Sequence, residues 1–275
     1  MLHSDPPALR PHRSPVLPRV LVASAAGLVA LLWLGMHVLG PRLLRHYDGF
    51  PALEAMPTET ANARGVTADP VNVAMVGTEG EIQRAMRAVG WAPADTLSRA
   101  SDLAIARSVL LNRPDSTAPV SSLYLFGRRQ DLAFEQQVGP SARRRHHVRF
   151  WRAPGVAYEG RPVWIGDASF DASAGLSHRG FHPTHHIAPE IDDEREALAA
   201  ALGASGQLAG TFRVTGIGVR TNARNAEGDR YVTDGELRVL VISPGNAPHP
   251  PPVDPGVPPL VALKDRWWRW QGHRR

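Results

Sequence analysis

The run Arg143-Arg144-Arg145-His146-His147-Val148-Arg149-Phe150-Trp151 gathers the side chains best suited to chemistry in this chain. Read as a strand, its period of two places His146, Val148 and Phe150 on one face and Arg145, His147, Arg149 and Trp151 on the other. The second face is a cationic row that repels itself unless carboxylates or an anionic ligand lie opposite. The same period from Val163 to Asp171 groups Trp164, Ala168 and Phe170, leaving Asp167, Ser169 and Asp171 on the alternate face. If the two strands pair with these polar faces aligned, Arg, His, Asp and Ser converge on one surface. Forked arginine contacts there can hold a phosphate or carboxylate, with His147 as a proton shuttle. A solvated sheet face laced with salt bridges fits the same alternation.

Two functions follow from that surface. One is that of an accessory module or a binder of an anionic small molecule or lipid headgroup, with Arg128, Arg145, Arg149 and Trp151 as the ligand-binding set. The other is hydrolysis of a phosphate ester. Here Arg128, Arg145 and Arg149 clamp the phosphoryl group, His147 moves a proton, and Asp131 or Asp171 orients it. No residue pattern marks a nucleophile. A second cluster, Ser177 to Ile187, holds four histidines in nine residues. A divalent metal such as zinc is the cofactor it suggests, held by His182, His185 and His186, with Asp192 or Glu194 able to add a carboxylate. The spacing matches no H-E-x-x-H site, and Gly180 and Pro183 oppose a helix that would align the rings. Packing of His185 and His186 to either side of a loop is the rival reading.

Composition narrows the field. The formal charge is +5, but of the 31 basic residues only Lys264 is lysine, and 26 acidic residues are interspersed. With no zinc-finger or aromatic RNA-binding signature, nucleic acid is not an expected partner. Cysteine is absent, which excludes disulfides, thiol nucleophiles and thiolate metal sites.

These residues need a scaffold, and the sequence outlines one. After a basic N-terminal tail, residues 1–19, the 21 residues 20–40 (VLVASAAGLVALLWLGMHVLG) carry no formal charge. As a helix they span about 30 Å, the thickness of a bilayer core. Gly40-Pro41-Arg42 follows in place of a small-residue cleavage pattern, so the segment reads as a retained signal-anchor. Arg10, Arg13 and Arg19 precede it while Arg42 and Arg45 follow. The positive-inside rule then favours a cytoplasmic N-terminus and a periplasmic domain, in a single-pass protein of the inner membrane.

Residues 41–69 read as a linker and 70–243 as the main domain. Val71 to Val76 suggests a strand. Thr78-x-x-Glu81 forms a capping box for a helix ending at Gly90. A second helix is expected from Asp95 or Thr96 to Leu111, and a helical turn over Asp131 to Gln137. Strands are expected at Ser121 to Gly127, His146 to Trp151 and Val163 to Phe170. Ile191 to Leu202 reads as a helix, its acidic first turn favoured by the dipole. Phe212 to Arg220 and Leu237 to Ile242 read as a hairpin turning at Asn225 to Asp229. The fold class is therefore α+β, a mixed β-sheet with two to three helices behind a single N-terminal transmembrane helix. Residues 244–275 form a Pro-rich segment and a tail whose Trp267, Trp268 and Trp270 lie among arginines. That composition suits a membrane interface and equally a tail docked on the domain.

Four stretches resemble one family: Ser122 to Glu135 (SLYLFGRRQDLAFE), Arg145 to Trp151 (RHHVRFW), Trp164 to Asp171 (WIGDASFD) and Thr184 to Arg195 (THHIAPEIDDER). In this order they resemble the LssY C-terminal domain of bacteria, over about residues 70 to 243. The resemblance implies a cell-envelope location, since such domains are often joined to membrane proteins of the DedA and phosphatidic-acid-phosphatase types. It implies other envelope membrane proteins and the lipid bilayer as partners. It assigns no reaction and no residue role. The S-G-H and S-R-x5-H-x3-D elements of that phosphatase are missing here, so lipid-phosphatase activity is not implied.

Overall fold

A computed structural model describes residues 16–39, 51–94, 122–139, 144–179, 183–214, 222–245 and 249–250, with single positions 252, 259 and 263. The chain divides into two compact units, Met1–Tyr47 and Asp48–Arg275. In the first, helix α1 (Val16–Leu34) continues into a π-helical turn, Gly35–Leu39. There His37 Nδ1 meets the Trp33 carbonyl at 3.2 Å and the two rings stack. Among the described residues one helix, Val20–Leu39, is long and apolar enough to cross a membrane, and none of it is buried.

The second unit is α+β, built on a mixed sheet. Its strands are β1 (Glu59–Ala61), β2 (Thr67–Pro70), β3 (Val73–Val76), β4 (Ala92–Pro93), β5 (Tyr124–Leu125), β6 (Arg128–Arg129) and β7 (Leu132–Gln137). They continue as β8 (Arg145–Tyr158), β9 (Arg161–Leu176), β10 (Pro183–Ile187), β11 (Leu208–Val214), β12 (Asn222–Arg224), β13 (Arg230–Val232) and β14 (Leu237–Ile242). Its helices are a short turn α2 (Pro51–Glu54), α3 (Glu79–Ala88) and α4 (Ile191–Ala204). The main sheet runs β11-β14-β3-β9-β8-β7-β4 with β10 added on β9, and β14 and β3 are its parallel pair. A smaller sheet runs β2-β1-β5-β6, and β12 pairs with β13.

Alternation along the central strands divides the core in two. Met75, Val148, Phe150, Trp164 and Ala168 pack with α3 and α4 through Ile82, Met86, Leu198 and Leu202. On the opposite face Ala74, Trp151, Val163 and Ile165 meet Leu53, Ala68, Leu123 and Leu125 beneath the smaller sheet. The capping box is formed. Glu81 N donates to Thr78 Oγ1 at 3.3 Å and Thr78 N donates to Glu81 Oε2 at 2.7 Å, and Arg161 Nη2 also donates to that oxygen.

Three expectations change. Asp131 to Gln137 forms strand β7, because Ala133 and Phe134 are buried against β8 and its ladder satisfies their backbone. The stretch read as linker contributes Leu53, wholly buried, and β1 with the start of β2, so the folded unit begins before residue 70. β11 does pair antiparallel with β14, but the Asn225 to Asp229 turn belongs to a separate hairpin, β12–β13. Residues 95–111, expected as a helix, and nearly all of the Pro-rich segment and Trp/Arg tail lie outside the described residues.

Candidate functional site

β8 and β9 pair so that Arg145 stands opposite Asp171, His147 opposite Ser169, and Arg149 opposite Asp167. The polar faces are therefore aligned. This register does not follow from the turn that joins the strands. Glu159 and Gly160 both take positive φ, 51° and 75°, as a two-residue hairpin turn requires, and pair Tyr158 with Arg161. From Arg152 to Ala157 β8 then advances five residues while β9 advances two, Trp164 to Pro162. A bulge at Pro154-Gly155 absorbs the excess and sets the site's register.

The cationic row meets carboxylates. Arg145 Nε donates to Asp171 Oδ2 and its Nη1 to Glu135 Oε2 on β7, both at 2.8 Å. Arg149 Nη1 donates to Asp167 Oδ2 at 3.1 Å and lies 3.7 Å from Asp69 Oδ2 on β2. Asn225 Nδ2 holds the other Asp69 oxygen at 3.0 Å. All of these side chains are buried. Burial pushes Asp167 up to about 8, helped by the Asp69 charge and opposed by Arg149. Burial also pushes Asp171 upward, but the charges of His147, Arg145 and His185 and a His147 hydrogen-bond interaction outweigh it, holding that carboxyl well below the usual range.

His147 sits between the two arginines, 2 % exposed, with Nδ1 3.2 Å from Asp171 Oδ1. The pair lies within ion-pair distance, but neither ring nitrogen has an aligned hydrogen-bond partner. A buried imidazole left in this state is costly unless something enters to satisfy it. Space for that exists. A cavity of about 300 Å³ is lined by Arg145, His147, Arg149 and Asp171 on its floor, and by the Asn62–Arg64 turn, Thr184, His185 and the Asn225–Glu227 turn on its walls.

Other candidates lie elsewhere. Arg128 pairs with Asp131 at 3.1 and 2.8 Å on the surface, and both also bind the Arg152 backbone, tying the β6–β7 turn to β8. Neither reaches the cavity, because both lie in the turn entering β7, beyond the Trp151 end of the row. Trp151 is in the core, its Nε1 donating to the Arg128 carbonyl at 3.2 Å. His185 and His186 are neighbours on β10 and point to opposite sides. His185 lines the cavity, while His186 Nδ1 meets Asp229 Oδ1 at 2.8 Å, as does His178 Nε2 at 3.4 Å. His182 lies outside the described residues.

Sequence reading missed Asp69, Glu135, Asn225 and Asp229. Asp69 ended a presumed linker, Glu135 sat in a presumed helical turn, and the last two served only as turn residues. A local signal existed for Glu135 alone, since strand alternation in Leu132 to Gln137 would have placed it among polar neighbours.

A family model described as LssY C-terminus matches residues 53–237. No curated protein and no solved structure matches the chain.

Proposed function

The chain belongs to the LssY C-terminus family, and from that premise we propose that it is a membrane-anchored envelope protein whose cavity binds a small anionic group, a phosphate or a phosphorylated lipid headgroup. One observation carries the reading: a buried histidine without an aligned partner lies between two arginines in the lining of a cavity. The apolar helix Val20–Leu39 supports work near a bilayer, and the excess of arginine before that helix favours an extracytoplasmic domain.

The two arginines already face four carboxylates, Glu135, Asp69, Asp167 and Asp171, of which burial pushes Asp167 up to about 8. An anion entering the cavity meets Arg145 and Arg149 on β8 beside His147, with Glu135 on β7, Asp171 on β9 and His185 on β10 around them. The test is calorimetric titration of the full chain, held in nanodiscs of phosphatidylcholine, with inorganic phosphate and, separately, with vesicles containing phosphatidic acid. Saturable binding, lost in Arg149→Ala, is the expected result. Heat from phosphate alone would identify a soluble ligand, and heat from vesicles alone a headgroup. No saturable binding in either arm, or binding untouched by Arg149→Ala, would overturn the reading.

The His147–Asp171 contact favours a second reading, phosphate-ester hydrolysis. Water oxygen attacks phosphorus, His147 Nε2 takes the water proton and returns it to the departing ester oxygen, and Arg145 and Arg149 hold the phosphoryl oxygens. Release of nitrophenol from p-nitrophenyl phosphate by the full chain, abolished in His147→Gln, would support it. Equal turnover in that variant would exclude it.

A further inference from the structure

We propose that His178, His186 and Asp229 form a site for a divalent transition metal, most suitably Zn²⁺. The three residues come from separate segments: the loop after β9, strand β10, and the turn entering β13. Their nearest donor atoms, one from each, lie within 4.8 Å of one another. Asp229 Oδ1 is 2.8 Å from His186 Nδ1 and 3.4 Å from His178 Nε2. Ligands on a tetrahedral zinc, at about 2.0 to 2.2 Å from the metal, are about 3.4 Å apart. Both nitrogens approach that same Asp229 oxygen, and the imidazole rings are tilted by 42° with centroids 4.7 Å apart.

The carboxylate is pre-set for this. Asp229 is 5 % exposed. Its second oxygen, Oδ2, accepts from Ile187 N at 3.2 Å, and its own N–H donates to Asn225 Oδ1 at 3.0 Å. That leaves Oδ1 turned toward the two rings. Outer hydrogen bonds that fix a ligand in this way are a regular part of metal sites. Two imidazoles and one carboxylate, with no thiolate, suit zinc, and three protein ligands leave a position open.

Position suggests a use. Asp229 ends the turn whose Asn225, Ala226 and Glu227 wall the cavity. His178 N donates to the Glu227 carbonyl at 3.0 Å, so the turn already docks against the loop after β9. A metal joining these segments would fasten that wall in place. The ligand set differs from His182, His185 and His186: strand alternation turns His185 away to the cavity.

The test uses Zn²⁺ alone, and so stands or falls separately from anion binding. The full chain in detergent is stripped with a chelator, dialysed and titrated against a chromogenic zinc indicator, and its thermal unfolding is followed with and without Zn²⁺. One Zn²⁺ per chain and a raised unfolding temperature are expected. His178→Ala, at a largely exposed ring, and His186→Ala should each weaken binding at least about tenfold, while His185→Ala binds as the parent does. No stoichiometric binding by the parent chain, or binding that survives both ligand substitutions, would overturn the inference. Loss in His185→Ala with His178→Ala unaffected would do the same.

Discussion

Arg149 and Asp167 face each other across β8 and β9, joined twice: Arg149 N donates to Asp167 Oδ1 at 3.2 Å and Nη1 to Oδ2 at 3.1 Å. The carboxyl is nonetheless pushed up to about 8, because it is wholly buried and Asp69 adds a second negative charge at the same guanidinium. Two carboxylates sharing one arginine in a dry setting favour a proton on one of them.

That proton makes stability depend on pH. A folded pKa above the unfolded value means that, from about pH 4 to about pH 8, the folded chain holds a proton the unfolded chain has lost. The contribution is fully present below about pH 4 and is lost as pH rises through about 8. Asp167→Asn cannot ionise, so its unfolding temperature should fall less across this range than the parent's. Melts of both proteins at a series of pH values decide it, and parallel curves would remove Asp167 as the cause.

Arg145 holds two buried carboxylates and Arg128 one at the surface, and the expected costs of removal differ in size. Arg145 is 3 % exposed, and its loss leaves Glu135 and Asp171 buried without their cation. Arg145→Met should cost about 3 to 5 kcal/mol. Arg128 is 37 % exposed, and Arg128→Ala should cost no more than about 1 kcal/mol. Denaturant unfolding measures both, and a larger loss for Arg128→Ala would contradict the burial argument.

Gly166 lies where β8 and β9 approach most tightly. A Cβ there would collide with the Arg149 carbonyl oxygen and lie 2.6 Å from Phe150 Cδ1. Gly166→Ala should destabilise by about 1 to 3 kcal/mol through overpacking. At Gly203, inside α4, a Cβ meets nothing within 4 Å. Gly203→Ala should therefore stabilise by about 0.5 to 1 kcal/mol through helix propensity. Opposite signs in the same unfolding assay are the expected outcome.

Absence of cysteine makes the orientation directly measurable. Ala204→Cys places a single thiol at an exposed position on α4. In intact bacteria a membrane-impermeant maleimide small enough to pass the outer membrane should label it. Labelling only after the inner membrane is opened would place the domain on the cytoplasmic side and reverse the assignment.

Local regularities of the sequence reached a long way. A charge-free run of bilayer length is legible without any partner, because helix rise and side-chain polarity are properties of the segment itself. The capping box of α3 is legible for the same reason, since Thr78 and Glu81 satisfy each other within one turn. The faces of β8 and β9 are too, because side chains on a strand alternate whatever lies beside it.

What lay beyond local pattern was which residues meet. Counting back from the Glu159-Gly160 turn would set Arg149 opposite Phe170; the bulge at Pro154-Gly155 shifts the register by three and sets it opposite Asp167. An odd shift exchanges the faces that meet, so this one feature decides whether the arginines find carboxylates or an apolar surface. Asp69, Glu135, Asn225 and Asp229 reach their places from segments far apart in the chain, by sheet pairing and loop closure that no short window contains. The sequence by itself determined the apolar N-terminal helix, the class of fold and the polar row. The tertiary structure alone decided that the row is a compensated, buried cluster around His147, because charge pairing and burial depend on distances between strands.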